Sequence, residues 1–142
     1  MNIHVKIWDK ESDDPMIEEI VGLVRKYDCE KHVYFMTRSD KILRKLKEYA
    51  PDIAFCVGFD GNKDPLSMVR RAIDLGAYKI QLYKPYFTQE TVDMAKANGI
   101  LCNVFYADDV EEARRYFDMG IDTVLTNNYL AIANGTKDYF KK

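Results

Sequence analysis

Six times in succession the chain spells a short apolar run suited to a strand and then a helical stretch, and this alternation constrains the fold more than any single motif does. Repeated strand-then-helix units imply parallel strands joined by right-handed crossovers. Eight such units close a barrel, whereas six leave a gap. The first unit reads as a strand from Ile3 to Trp8 and a helix starting near Pro15, with Asp14 as its cap. The second runs from Val33 to Thr37 and into a helix capped by Ser39 or Asp40 and stopped by Pro51. The third is Ile53 to Phe59, after which Asp64-Pro65 repeats the arrangement of Asp14-Pro15. Strands at Tyr78 to Tyr83, Ile100 to Tyr106 and Thr123 to Thr126 complete the series. Gly76, Gly99 and Gly120 mark the joints where a helix gives way to the next strand. Thr88 opens one helix, and Asp109 with Glu112 forms a capping-box pattern for another.

Two architectures satisfy this order within one α/β domain spanning residues 1–142: an incomplete or variant TIM (βα) barrel of about six parallel βα units, or a doubly wound open parallel sheet. Alternation along the strands separates them, because an open sheet covered by helices on both sides is apolar on both faces. In the first strand Ile3, Val5 and Ile7 lie on one face, opposite His4, Lys6 and Trp8. In the fourth, Ile80 and Leu82 oppose Gln81 and Tyr83. A repeated polar face suits the interior and mouth of a barrel, and also an edge strand exposed to water.

Composition narrows the function classes. The formal net charge is −2 with acids and bases interleaved, which gives no footprint for nucleic acid. No apolar stretch approaches the length of a membrane span. Three widely spaced cysteines, Cys29, Cys56 and Cys102, suit thiols in a reducing compartment better than a disulfide framework. The expected location is cytoplasmic.

Several segments, in order, resemble the glycerophosphodiester phosphodiesterase family from Ile3 to about Leu130. Ile3-His-Val-Lys6 is similar to that family's third-strand Ile-Glu-Ile-Lys, and Tyr34 to Asp52 to its fourth strand and the following helix. Asn103-Val-Phe-Tyr-Ala-Asp108 resembles Asn-Val-Trp-Thr-Val-Asn, and Gly120-Ile-Asp-Thr-Val-Leu-Thr-Asn127 resembles Gly-Val-Asp-Gly-Ile-Ile-Thr-Asp. The resemblance implies a TIM barrel of which these residues supply strands three to eight. It also implies metal-dependent hydrolysis of glycerophosphodiesters, resting on a His-Arg-Gly segment after the family's strand one and a Glu-x-Asp segment after its strand two, units that lie outside the strands three to eight matched here. The family's further metal-binding glutamate corresponds to His4, its tryptophan to Phe105, its threonine to Tyr106 and its closing aspartate to Asn127. Only Lys6 of the Ile-Glu-Ile-Lys pattern carries over as a charged site residue.

Read for chemistry, the residues offer no carboxylate cluster for a hard cation. Asp108, Asp109, Asp60 and Asp64 all sit where helix starts or turns need acids. His4 is suited to a softer metal or to proton transfer, and equally to an ordinary hydrogen-bonded interior position. Lys6 either meets an anion or extends to water. Arg38 and Lys84, each just beyond a strand, join Lys6 on one rim in the barrel reading; Gln81 lies on the same strand face, and Phe105 provides an apolar wall. The expected site set is therefore a substrate or anion surface of His4, Lys6, Arg38, Gln81, Lys84 and Phe105, with no catalytic or metal-binding residue assigned. Calcium or magnesium is expected only if a site is completed by other residues.

Three functions follow as expectations: a truncated or degenerate phosphodiesterase-like domain without its own hydrolase centre, part of an active enzyme completed by another chain, or a non-catalytic assembly module. A glycerophosphodiester or other phosphate-containing small molecule is the expected ligand, and a homo-oligomer or complementing chain the expected partner. Tyr129 to Lys142 carry enough apolar residues for a helix that covers an edge or the barrel floor.

Overall fold

Each strand is a short run with at least one apolar residue facing the core, and each pairs only with its sequence neighbours. The computed structural model describes residues 1–6 and 13–140. Its strands are β1 (Asn2–His4), β2 (Tyr34–Thr37), β3 (Ala54–Val57), β4 (Lys79–Leu82), β5 (Leu101–Phe105) and β6 (Thr123–Leu125), and its α-helices are α1 (Asp13–Lys26), α2 (Asp40–Tyr49), α3 (Ser67–Leu75), α4 (Gln89–Ala97), α5 (Val110–Asp118) and α6 (Tyr129–Gly135). The six strands are parallel and ordered β1-β2-β3-β4-β5-β6. A doubly wound sheet reverses its strand order at a switch point; this one never does. The architecture is an incomplete TIM-barrel-like half-barrel, curled so that among the described residues β1 and β6 are its unpaired edges.

One face of the sheet builds the core. Phe35, Phe55, Val57, Ile80, Leu82, Cys102 and Val104 pack against Ile17, Ile42, Leu43, Leu46, Val69, Leu75 and Val92 of the helices. The amphipathic stripes of α1 to α4 supply that second layer, with apolar residues recurring three and four apart. Side chains at alternate positions point the other way: His4, Met36, Cys56 and Lys79 occupy one row of the concave face, and Gln81, Asn103 and Thr123 the next.

The helix ends follow capping chemistry with instructive exceptions. Ser39 rather than Asp40 caps α2, accepting from Ile42 N at 3.5 Å. Thr88 and Thr91 form a reciprocal box at the start of α4. Asp109 accepts from Glu112 N at 2.9 Å, but the Glu112 carboxylate is drawn to Lys84 at 2.7 Å, so the box is one-sided. Asp14 and Pro15 lie inside the first turn of α1, which starts at Asp13; proline has no N–H to lose there. Asp14 instead pairs with Lys45. Asp64 holds Leu66 N at 3.0 Å in a turn before α3 and does not cap it, since α3 begins at Ser67. Gly76 ends α3 with a φ of 67°, the left-handed conformation expected of that joint.

The expected extension of β1 through Ile7 and Trp8 lies outside the described residues. At the other end, the segment after Asn128 is two pieces rather than one helix: α6 stops at Gly135, and a short 3-10 turn covers Lys137–Phe140. Thr136 divides them, its hydroxyl donating to Ile132 O at 2.7 Å.

Candidate functional site

In parallel βα architectures the loops after the strands line the site, so the concave face and the rim beyond the strand ends are where function is expected. The row Gln81, Asn103 and Thr123 crosses that face as register partners on β4, β5 and β6. Asn103 is fully buried and donates from Nδ2 to Gln81 Oε1 at 3.2 Å. Lys79 lies below Gln81 on β4 with an exposure of 7%, its ammonium 3.3 Å from Thr123 Oγ1 and 5.1 Å over the Tyr34 ring. Lys79 and Asn103 were not among the expected site residues. The signal was in the alternation, because Lys79-Ile-Gln81-Leu-Tyr83 puts the three polar residues on one face.

Above this polar row the rim is aromatic. Tyr83 stands 5.0 Å from Phe105 and 5.0 Å from Phe59, measured between ring centres, and Tyr86 stacks on Phe59 at 5.6 Å. Tyr106 meets Phe105 edge-on at 4.9 Å and has a φ of 64°, which only a small share of side-chain-bearing residues adopt. The wall expected from Phe105 alone is thus a contiguous strip drawn from the ends of β3, β4 and β5.

The expected site residues do not all meet. Gln81 and Phe105 share the concave side of β4 and β5, while His4 and Lys6 stand together on the β1 edge, both exposed. Partial burial, then the charge of Lys6, lowers the His4 pKa below the ordinary 6.5. Arg38 is exposed just beyond β2, and its carbonyl accepts from Arg71 Nη2 at 2.9 Å. Lys84 is turned toward α5, where both Glu112 oxygens hold it at 2.7 and 2.9 Å and Tyr116 donates to the same carboxylate at 3.1 Å. That trio sits in a cavity of about 420 Å³ with Pro85, Phe87 and Met119.

The rim acids are engaged in holding loops. Asp108 accepts from Thr126 Oγ1 at 2.8 Å and from Asn127 N at 2.6 Å through one oxygen, and from Asn127 Nδ2 at 3.0 Å through the other. These bonds to its charged form hold the carboxyl pKa below the ordinary 3.8. Asp40 and Asp60 both pair with Arg71, and Asp64 with Arg70. Among the described residues, no three histidine, cysteine, aspartate or glutamate side chains stand close enough together to hold a metal ion. The donors among the described residues therefore do not form a set for a hard divalent cation, and the cationic Lys6 beside His4 opposes one there.

Comparison with known proteins agrees with this architecture. A sequence profile of the glycerophosphoryl diester phosphodiesterase family matches residues 2–131. No curated protein matches the chain. Among solved structures, a protein from Galdieria sulphuraria assigned as a glycerophosphodiester phosphodiesterase is 25% identical with a TM-score of 0.83, the match covering 94% of this chain and 55% of that one. A Silicibacter pomeroyi DSS-3 protein assigned to the same activity has 18% identity and a TM-score of 0.85, over 96% of this chain and 50% of that one. An Oleispira antarctica phosphodiesterase solved with the product sn-glycerol-3-phosphate has 19% identity and a TM-score of 0.73, over 96% and 54%. The chain thus spans about half the length of the structures it matches. From its first strand to α6, the chain belongs to the glycerophosphoryl diester phosphodiesterase family.

Proposed function

We propose that this chain is a truncated or degenerate glycerophosphodiester phosphodiesterase-like domain, one that presents a wall for a phosphate-bearing small molecule and does not by itself hydrolyse diesters. The observation that carries this reading is the engagement of the rim acids: Asp108 latches the loop after β6, Asp109 caps α5, Asp40 and Asp60 hold Arg71, and Glu112 holds Lys84. A carboxylate satisfied by a cation or by backbone donors is poorly placed to share a divalent ion with others. The ligand-facing residues are then Lys6, Arg38 and His4 for an anion, Gln81 for orientation and Phe105 for the apolar part of the alcohol.

Hydrolysis of glycerophosphocholine by the purified chain, with and without calcium, magnesium or manganese, tests the proposal. No release of choline is expected under any of these conditions; metal-dependent turnover overturns it.

The unpaired edges of β1 and β6 favour a second reading, in which another chain completes an active metal-dependent site. Activity that appears only on mixing with such a chain, alongside a larger mass by light scattering, supports that version. The unpaired thiols Cys29, Cys56 and Cys102 support a cytoplasmic location, and no helix among the described residues is long and apolar enough to cross a membrane.

A further inference from the structure

Two departures from the family's pattern at the rim cancel when taken together. The pattern Asn-Val-Trp-Thr-Val-Asn ends on an amide where this chain has Asp108, and Gly-Val-Asp-Gly-Ile-Ile-Thr-Asp ends on an acid where it has Asn127. The fold makes these two residues partners. Asp108 accepts from Thr126 Oγ1 and Asn127 N through one oxygen, at 2.8 and 2.6 Å, and from Asn127 Nδ2 through the other at 3.0 Å. The first two bonds need an acceptor at 108, which a carboxylate oxygen and an amide oxygen both supply. The third needs one donor and one acceptor, and it works in either direction. An amide at 108 with an acid at 127 therefore makes the same three bonds with the third reversed, while two acids set acceptor against acceptor and like charge against like.

We infer that Asp108 and Asn127 are an exchanged pair: the acid stands on the loop after β5 where the family's pattern puts it on the loop after β6, and the departure at Asn127 keeps a positioning contact instead of losing one. What the pair positions follows from its surroundings. Tyr106, with its left-handed φ of 64°, turns the chain at the end of β5. The fully buried Ala107 then donates from N to Leu125 O at 3.1 Å, which leaves the Asp108 side chain against the β6 loop. On the far side, Thr126 Oγ1 also accepts from Asn128 N at 2.9 Å, and Asn128 stands at the head of α6 without a side-chain capping bond of its own. The pair thus fixes the turn from β6 into α6. Lys84, on the loop after β4, is the neighbouring charge that acts on Asp108, and Asp109 is turned to Glu112 N. Folding stability reports the pair whether or not the chain hydrolyses a diester, so its fate is separate from that of the phosphodiester reading.

The test is a double-mutant cycle on the whole chain, read by urea unfolding across pH. At neutral pH, Asn127→Asp in the parent is expected to lower the folding equilibrium constant about tenfold by facing two carboxylates. The same substitution in the Asp108→Asn background should leave the constant unchanged or raise it, so the sign of its effect depends on residue 108. The pH profile separates pairing from mere packing. In Asn127→Asp the facing carboxylates raise one folded-state pKa above its unfolded value, so stability is gained as pH falls through the raised value and lost again as pH rises. In the exchanged double variant the parent's loss of stability in acid should reappear, because a single carboxylate again accepts the amide bond. On the unsubstituted chain, the Asn127 side-chain amide signals should shift as Asp108 protonates, a check that does not require any variant to fold. An equal loss from Asn127→Asp in both backgrounds, a double variant that is unfolded or less stable than Asn127→Asp alone, or Asn127 amide signals indifferent to the Asp108 titration overturns the exchange.

Discussion

Arg71 on α3 grips Asp40 at the start of α2 through two nitrogens, Nε at 3.0 Å and Nη2 at 2.6 Å from the same oxygen. It also pairs with Asp60 at 3.1 Å and donates to the carbonyls of Gly58 at 3.3 Å and Arg38 at 2.9 Å. One guanidinium thus ties together the loops after β2 and β3, a task that needs a planar fork of donors. Arg71→Lys keeps the charge and loses the fork, so it is expected to lower stability by about 1–2 kcal/mol, a range discounted for the partial exposure of both acids. Urea unfolding checks this; an unchanged midpoint would show that the rim loops do not depend on the clamp.

Asp108 should make stability pH-dependent in a defined direction. Its folded-state pKa lies below 3.8 because its charged form accepts bonds from Asn127 and Thr126. The contribution is therefore complete above the unfolded value and disappears as pH falls through the lower folded value. Asp108→Asn should flatten the loss of stability below about pH 4 relative to the parent chain. Equal acid slopes for the two proteins would refute the latch.

The three thiols should separate by reactivity. Cys56 and Cys102 are fully buried, and burial pushes both thiols up to about 12, so little thiolate is present at neutral pH. Cys29 is half-buried near the surface of the turn after α1. Iodoacetamide at pH 8 is expected to label Cys29 in the native protein and the other two only after denaturation. Peptide mapping reads the result directly, and early labelling of Cys56 or Cys102 counts against it.

Gly135 allows α6 to approach α5 at the limit of contact. A Cβ placed there would stand 2.9 Å from Val110 Cγ2 and closer still to Cγ1. Gly135→Ala should destabilise the chain by about 1–3 kcal/mol, and adding Val110→Ala should recover part of the loss. A thermal shift no larger in the single variant than in the double would contradict this packing.

Much of the fold was legible because its cues are local. Gly76 and Gly120 mark helix-to-strand joints, and the alternation from Lys79 to Tyr83 divides one strand between core and lumen. The direction taken by Lys84 was not legible. It is set by Glu112 on α5, and Glu112 also fits the capping-box pattern that would have turned it back toward Asp109. Lys79 shows the same limit from the other side: its face follows from periodicity, but its burial comes from the curl of the sheet, which brings Tyr34 and Thr123 from distant strands around it.

The unbroken order from β1 to β6 has a consequence for how the molecule can assemble during synthesis. Each of β2 to β6 pairs with the strand made just before it, so no pairing among these six strands waits for a remote part of the chain. Loop-closure entropy is met in small, similar instalments, and each completed unit offers a template for its successor. These six strands can therefore add in chain order from β1 to β6, each onto the edge left by the one before it, while later units are still being made.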